Sequence, residues 1–184
     1  VKGKTKSLWI YEGFAILEEA GPDQLTIDEL CRRLKLTKGS FYYHFKNRQD
    51  YIRSLLEFWE EDSTQRIINL SQSEESDREK LDRLTELVTK EQNRSLEVKI
   101  RSWATHDEKI RLYQQRVDEQ RMNYAKKLCA TVYKDNVDSN MLAQIYYTIL
   151  IGSQHLIPPI KGKELMHIFK TISQHITKYS KMTE

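Results

Sequence analysis

The sequence predicts an all-α fold of about nine helices. Apolar residues recur at spacings of three and four in separate runs along the chain, as one face of a helix requires. Six Gly and three Pro in 184 residues are too few for the many turns of a strand-rich fold. We find no convincing strand, no internal repeat and no low-complexity tract.

The first helix is expected from Thr5 to Ala20, with Ile10, Phe14 and Leu17 as its stripe and Trp9 and Ile16 widening it. Gly21-Pro22 ends it, because Gly accepts the left-handed turn after a helix and Pro cannot continue one. Thr26 is an N-cap, and Glu29 three residues on makes a capping box. The second helix is Ile27 to Leu34, with Ile27, Leu30 and Leu34 on one face. Leu36 is a buried turn residue by pattern, and Thr37 caps a very short third helix, Lys38 to His44. Asn47 caps a long fourth helix marked by Tyr51, Leu55, Phe58 and Trp59. The polar run Ser71 to Asp77 predicts a loop. Leu81, Leu84 and Val88 mark the fifth helix, and Leu96, Ile100 and Trp103 the sixth. Ile110, Tyr113, Val117, Tyr124, Leu128 and Val132 mark a long seventh, followed by a loop over Lys134 to Asp138. Ile145, Tyr146, Ile149, Leu156 and Ile157 mark the eighth, which Pro158-Pro159 ends. Leu165, Ile168, Phe169, Ile172, Ile176 and Tyr179 mark the last.

Composition narrows the function classes. Charged residues make up 31% and both signs are present, with a formal net charge of +3, so the total does not imply nucleic acid and only its local distribution can. Cys31 and Cys129 are too few and too far apart for a disulfide framework or a zinc site, which fits a reducing cytoplasm. The basic start leads into a helix interrupted by Glu12, Glu18 and Glu19, so no signal peptide is expected. The chain begins with Val, which leaves room for native residues ahead of it. The longest apolar stretch, around Ile145 to Gly152, is too short to span a bilayer, so no membrane partner is expected.

The informative stretch is Thr26 to Arg48. A short helix, a tight turn and a second short helix are what a helix-turn-helix needs, because the second helix must protrude to enter the major groove while the first braces it. Between Leu30 and Gln49 lie Arg32, Arg33, Lys35, Lys38, Lys46 and Arg48 and no acidic residue, although signs mix freely elsewhere. That local bias is the electrostatic footprint of a phosphate backbone. Gly39 and Ser40 are small enough for the helix start to come close to base edges, and its free N–H groups suit a phosphate. Thr37 can cap the helix and also donate to a phosphate, and Lys38 reaches a base or a phosphate. Tyr42 and Tyr43 offer hydroxyls and flat faces for sugar or thymine methyl contact, and Lys46 can hold the backbone beside the groove. Phe41 and Phe45, four apart, anchor the helix to the core. Taken one by one, a basic helix is a solvated face and an aromatic run is core; the order and spacing together favour double-stranded DNA.

Residues 7 to 59 resemble the TetR family of bacterial transcription regulators. The resemblance rests on a first helix ending in Gly21, on Leu25-Thr26-Ile27-Asp28-Glu29-Leu30, and above all on Leu36-Thr37-Lys38-Gly39-Ser40-Phe41-Tyr42-Tyr43-His44-Phe45-Lys46-Asn47. It implies a DNA-binding domain over residues 1–48, a three-helix helix-turn-helix unit, and a ligand-binding and dimerisation domain over residues 49–184. It implies DNA contacts at Thr26, Thr37, Lys38, Gly39, Ser40, Tyr42, Tyr43 and Lys46, with Phe41, His44 and Phe45 structural. Lys35 departs from the pattern, standing where the family usually has Gly; if the turn needs a positive φ there, the lysine costs about 1 kcal/mol.

The stretch Leu96 to Ala104, then Asp107, Val117-Asp118 and Arg121, resembles one large branch of the same family. Family members usually dimerise through their last two helices, which implies a homodimer interface over Ile145, Ile149, Leu156, Ile168, Ile172 and Ile176. A two-fold pair sets two reading helices about 34–36 Å apart, one DNA turn, and implies a palindromic operator. The family also commonly holds a small effector whose binding releases DNA. Candidate lining residues are Trp103, His106, Tyr113, Tyr146, Tyr147, Leu150 and His155, whose aromatic richness suits an apolar or planar molecule. Repression is the family's commoner habit.

No phosphate-binding or dinucleotide-binding glycine loop is present, and the five His residues lack the spacing of a metal site. No local signature of nucleophilic catalysis appears. No cofactor, metal or catalytic residue is therefore expected. The alternatives are an effector-independent structural or nucleoid-associated DNA binder, an all-helical enzyme, which would leave the basic patch unexplained, and a pure protein-interaction module, which would leave Tyr42, Tyr43 and Lys46 unexplained.

Overall fold

A computed structural model describes residues 2–90, 94–134 and 138–182, with side chains over 6–90, 95–134 and 138–176. Residues 135–137 of the expected Lys134–Asp138 loop and the side chain of Tyr179 lie outside these. The described residues form helices joined by short turns, with no strand among them. The helices are α1 (Lys2–Ala20), α2 (Ile27–Leu34), α3 (Lys38–His44), α4 (Arg48–Glu60), α5 (Arg66–Gln72), α6 (Asp77–Lys90), α7 (Arg94–Ala104), α8 (Glu108–Tyr133), α9 (Ser139–His155) and α10 (Gly162–Met182). A π-helical turn, Glu61–Gln65, joins α4 to α5, so the backbone stays helical from Arg48 to Gln72. Counted that way the described residues form nine helices, the expected number. The chain divides into two compact units, the residues before Ser63 with Ser95–Gln114, and Ser63–Arg94 with the chain from Gln115 onward.

Local chemistry sets the breaks in the first unit. Gly21 takes φ 80° and its N–H bonds Leu17 O at 3.1 Å, closing α1. Thr26 Oγ1 accepts from Glu29 N at 3.1 Å. The capping box is only half formed, because the Glu29 carboxylate turns instead to Arg32 and Arg33 and Thr26 N–H bonds Gln24 O. Lys35 ends α2 at φ 56°, in the left-handed region, with Leu36 N–H on Cys31 O. The Lys35 Cβ strains that conformation. Lys35→Gly should therefore raise stability by about 1 kcal/mol, read from the urea unfolding midpoint. A midpoint that stays or falls would mean the turn carries no strain.

The core of this unit is aromatic. Trp9, Phe41, Phe45 and Tyr51 are almost wholly buried, with Phe41 5.4 Å from Trp9 and Phe45 5.0 Å from Tyr51 between ring centroids. The Tyr51 hydroxyl donates to Trp9 O at 2.8 Å, so α4 is tied to α1 through a buried polar bond as well as rings. From α7 and α8, Leu96, Ile100, Trp103 and Ile110 are buried, and the Ser95 hydroxyl bonds the Glu18 carboxylate on α1.

The second unit packs around Leu81, Leu128, Cys129, Tyr133 and Leu142, with Tyr146 and Ile176 against them. Burial pushes the Cys129 thiol up to about 11, so it stays protonated at neutral pH. The expected Ser71–Asp77 loop shrinks, since α5 runs to Gln72 and α6 starts at Asp77. Ser71 can stay helical and buried because its hydroxyl bonds Ile68 O at 2.9 Å and the Tyr124 hydroxyl at 2.6 Å. Leu156 and Ile157, expected in the eighth helix, lie beyond α9: Leu156 is extended and Ile157 precedes Pro158, a position that disfavours helix. No helix of the described residues is long and apolar enough to cross a membrane.

Candidate nucleic-acid interface

Helix α3 is built by its N-cap and its two Phe anchors. Thr37 Oγ1 accepts from Ser40 N at 3.2 Å, which starts the helix and leaves the hydroxyl proton for another acceptor. The same holds at Thr26, the half-buried cap of α2. Phe41 and Phe45 face inward, and Asn47 Oδ1 accepts from Asp50 N at 2.9 Å to begin α4. Seven residues with one face fixed this way leave the opposite face to solvent. Tyr42 is 53% and Tyr43 64% exposed, and Thr37, Lys38, Gly39 and Lys46 are exposed beside them. Ser40 and His44 are half-buried.

Gly39 has a clear surface. A Cβ built there meets only Thr37 Oγ1, at 3.6 Å, so the glycine is not needed by the packing of the protein itself. Its absence of side chain is open to whatever approaches from outside.

The charges divide in a way the linear count hid. Arg33 is only 21% exposed and its Nη1 lies 2.7 Å from Glu19 and 3.5 Å from Glu12, with Nε 2.8 Å from Glu29. Arg32 also clasps Glu29. Together Arg32 first and then Arg33 hold the Glu29 carboxyl down at about 2. Arg48 Nε donates to Leu25 O at 2.8 Å, so it braces α4 against the start of α2. Three of the six basic residues are therefore structural ties. Lys38 pairs with Asp28 at 2.6 Å, but both are well exposed. Such an exposed, solvent-screened pair adds little to stability and leaves Lys38 able to turn to a phosphate. Lys35 and Lys46 form no ion pair among the described residues. The cationic surface around α3 is thus Lys35, Lys38 and Lys46, with α3's hydroxyls between them.

Residues that the sequence left without a role also find one. Asp107 Oδ1 accepts from Lys109 N and Ile110 N and so caps α8. Glu97 and Arg101 pair one turn apart on α7, nearly buried. Asp118 accepts from the Tyr147 hydroxyl at 2.7 Å, and Arg121 donates to Thr64 and Ser63 in the π turn at 2.9 and 3.1 Å. The polar positions of the family-like C-terminal stretch are structural here.

The effector candidates are spread over both units. Trp103 belongs to the buried core of the first, where His106 is exposed, with Nδ1 2.7 Å from the Thr105 hydroxyl. Tyr113 lines a cleft of about 810 Å³ between the starts of α4 and α8. In the second unit Tyr146 lines a cleft of about 770 Å³ between α6 and α10, Leu150 is half-buried, and His155 is exposed with Nδ1–H on Ile151 O. Of the interface candidates, Ile145 and Leu156 are exposed; Ile149, Ile168 and Ile172 are half-buried; and Ile176 packs on the core.

The sequence profile of the bacterial regulatory proteins of the tetR family matches residues 12–55. No curated protein sequence matches the chain. Among solved structures, a protein of Pseudomonas aeruginosa PAO1 described as a transcriptional regulator superposes with a TM-score of 0.75 at 11% identity, over 100% of this chain and 96% of that one. A TetR-family transcriptional regulator of Rhodococcus sp. gives 0.74 at 15% identity, over 93% and 97%. A transcriptional regulator of Saccharomonospora viridis in complex with choline gives 0.72 at 17%, over 96% and 95%. At these identities the likeness to structures establishes the fold.

Proposed function

We propose that this chain, whose residues 12–55 match the profile of the tetR family of bacterial regulatory proteins, is a sequence-specific DNA-binding transcription regulator, a repressor released from a palindromic operator by a small molecule. Residues 1–48 read DNA in this account, and residues 49–184 dimerise and sense. One observation carries the reading: α3 keeps Phe41 and Phe45 in the core while presenting Tyr42 and Tyr43 to solvent beside Lys38 and Lys46. A major groove gives that outer face a use, since hydroxyls, flat rings and cations are what base edges and phosphates meet there. An enzyme would leave it without use, so no catalytic role is assigned.

Lys46 tests the phosphate contact. Lys46→Ala should weaken binding about equally for all DNA sequences and lower the slope of log K against log salt by roughly one unit. An unchanged slope and affinity would remove Lys46 from the backbone contacts.

The homodimer forms through α9 and α10 in this reading. Met141 and Ile145 are exposed one turn apart on α9, a pair of large apolar side chains that water disfavours. Ile149→Glu should give monomers in sedimentation, by placing a charge inside that contact. A persistent dimer would put the interface elsewhere. Pairing explains the operator symmetry, and DNA as partner places the protein in the bacterial cytoplasm. An effector acts by binding the released form better than the DNA-bound form. The choline complex of the Saccharomonospora viridis protein supports a small-molecule site on this fold. The α6/α10 cleft favours sensing over an effector-free nucleoid binder. The test of the whole reading is selection of bound sites from random DNA with the purified protein. We expect an inverted repeat; a pool with no common motif would overturn sequence-specific regulation.

A further inference from the structure

We infer that the cleft between α6 and α10 binds an amphipathic carboxylate, which acts as the effector; this rests on the regulator reading above. The floor of the cleft is apolar and aromatic, made by Leu81, Met166, Phe169, Tyr133 and Tyr146, with Tyr146 and Phe169 rings 5.6 Å apart. Its volume of about 770 Å³ lies in the range of small-molecule sites. Hydroxyls cluster in it: Tyr133, itself more than nine-tenths buried, bonds Ser173 at 2.8 Å and lies 3.4 Å from the Tyr146 hydroxyl. An apolar body has a place to lie there, and a buried donor set is at hand for a polar group along it.

The wall charges select the sign of the head group. Arg78 is matched by Asp82 at 3.2 Å, and Lys90 by Glu86. The remaining two lining charges, Lys163 and Lys170 on α10, form no ion pair among the described residues. Among the described residues the cleft therefore carries an excess of two positive charges over its apolar floor. An anion of amphipathic shape satisfies both features, and an alkyl or aryl ammonium of the same shape is repelled. Lys163 and Lys170 are seven residues apart, two helical turns or about 10 Å, so a carboxylate engages one end of the cleft or the other while the tail crosses Met166 and Phe169. Because α10 is half of the proposed dimer contact, filling this cleft biases the geometry of subunit pairing.

The test uses full-length protein and a matched pair of probes, decanoate and decylamine, followed by calorimetry, together with affinity for the DNA selected from a random pool. Decanoate should bind and decylamine should bind at least ten-fold more weakly. Lys163→Gln/Lys170→Gln should weaken decanoate at least ten-fold, and Met166→Trp should do the same by filling the floor. Circular dichroism and probe-free DNA affinity report whether each variant is folded. Decanoate should lower DNA affinity of the parent and not of the variants. The cleft assignment is overturned if decanoate fails to bind, if decylamine binds as well, or if both folded variants bind decanoate as the parent does. Binding with unchanged DNA affinity would overturn the effector role. Loss of sequence-specific DNA binding in the probe-free parent would instead overturn the regulator reading.

Discussion

Gly13→Ala is expected to destabilise the protein by about 3 kcal/mol, although alanine is the better helix former. Gly13 lies in the middle of α1, against α4. A Cβ there would stand 1.9 Å from Tyr51 Oη and 2.6 Å from Leu55 Cδ1. Real atoms do not approach so closely, so the ring must move. Tyr51 is fully buried, its hydroxyl is held on Trp9 O, and its ring packs on Phe41 and Phe45. Moving it breaks a buried hydrogen bond, about 1–3 kcal/mol, and overpacks an aromatic cluster, about 1–3 kcal/mol. The helix-propensity gain returns about 1 kcal/mol. Urea unfolding of Gly13→Ala, Tyr51→Phe and the double variant separates these contributions. Removing the hydroxyl takes away the closest atom, so the double variant should be less destabilised than the sum of the singles. Full stability of Gly13→Ala, or strict additivity, would show that α1 and α4 are not in the close approach seen here. DNA binding should fall with folding in this variant, because Phe41 and Phe45 anchor α3 to the same cluster.

Gly39→Leu should have the opposite profile: the fold is kept and specific DNA binding is lost. Gly39 is exposed near the start of α3, and a Cβ there has open space apart from Thr37 Oγ1. A leucine side chain projects from the outer face by several atoms and keeps the duplex away from Thr37, Lys38 and Tyr43. Specific binding exceeds non-specific binding by about 10³–10⁷. Gly39→Leu should lose at least 10²-fold of that ratio, with residual salt-sensitive binding through Lys38 and Lys46. Unfolding midpoint and operator affinity measured on one sample decide the matter. Retained operator affinity in a folded protein would mean that α3 does not make the close approach.

What the sequence discloses is what is local. Thr26, Thr37 and Asn47 act within three residues of themselves, so their caps and the helices they begin are read directly. The inward Phe41 and Phe45 follow from spacing alone. Charge is different, because its partners come from other elements. Arg33 is counted as DNA footprint until Glu12 and Glu19 of α1 are seen beside it. Arg48 looks like a phosphate ligand until Leu25 O is placed under its guanidinium. Polarity misleads at Ser71, whose burial depends on Tyr124, over fifty positions away. Periodicity carries Leu156 and Ile157 into the eighth helix because Pro acts on the residue before it, a rule outside any apolar count. The cleft residues of α6 and α10 read as ordinary charged faces, since the two free lysines stand out only after the other pairs are formed.

In the proposed function a pair of α3 helices enters the major groove of one duplex. Guanine N7 faces that groove, so methylation interference on a selected site reads the claim directly. The account predicts interference at two clusters of guanines related by a two-fold axis and separated by about one helical turn. Interference confined to adenine N3 in the minor groove, or absent while binding persists, would contradict it.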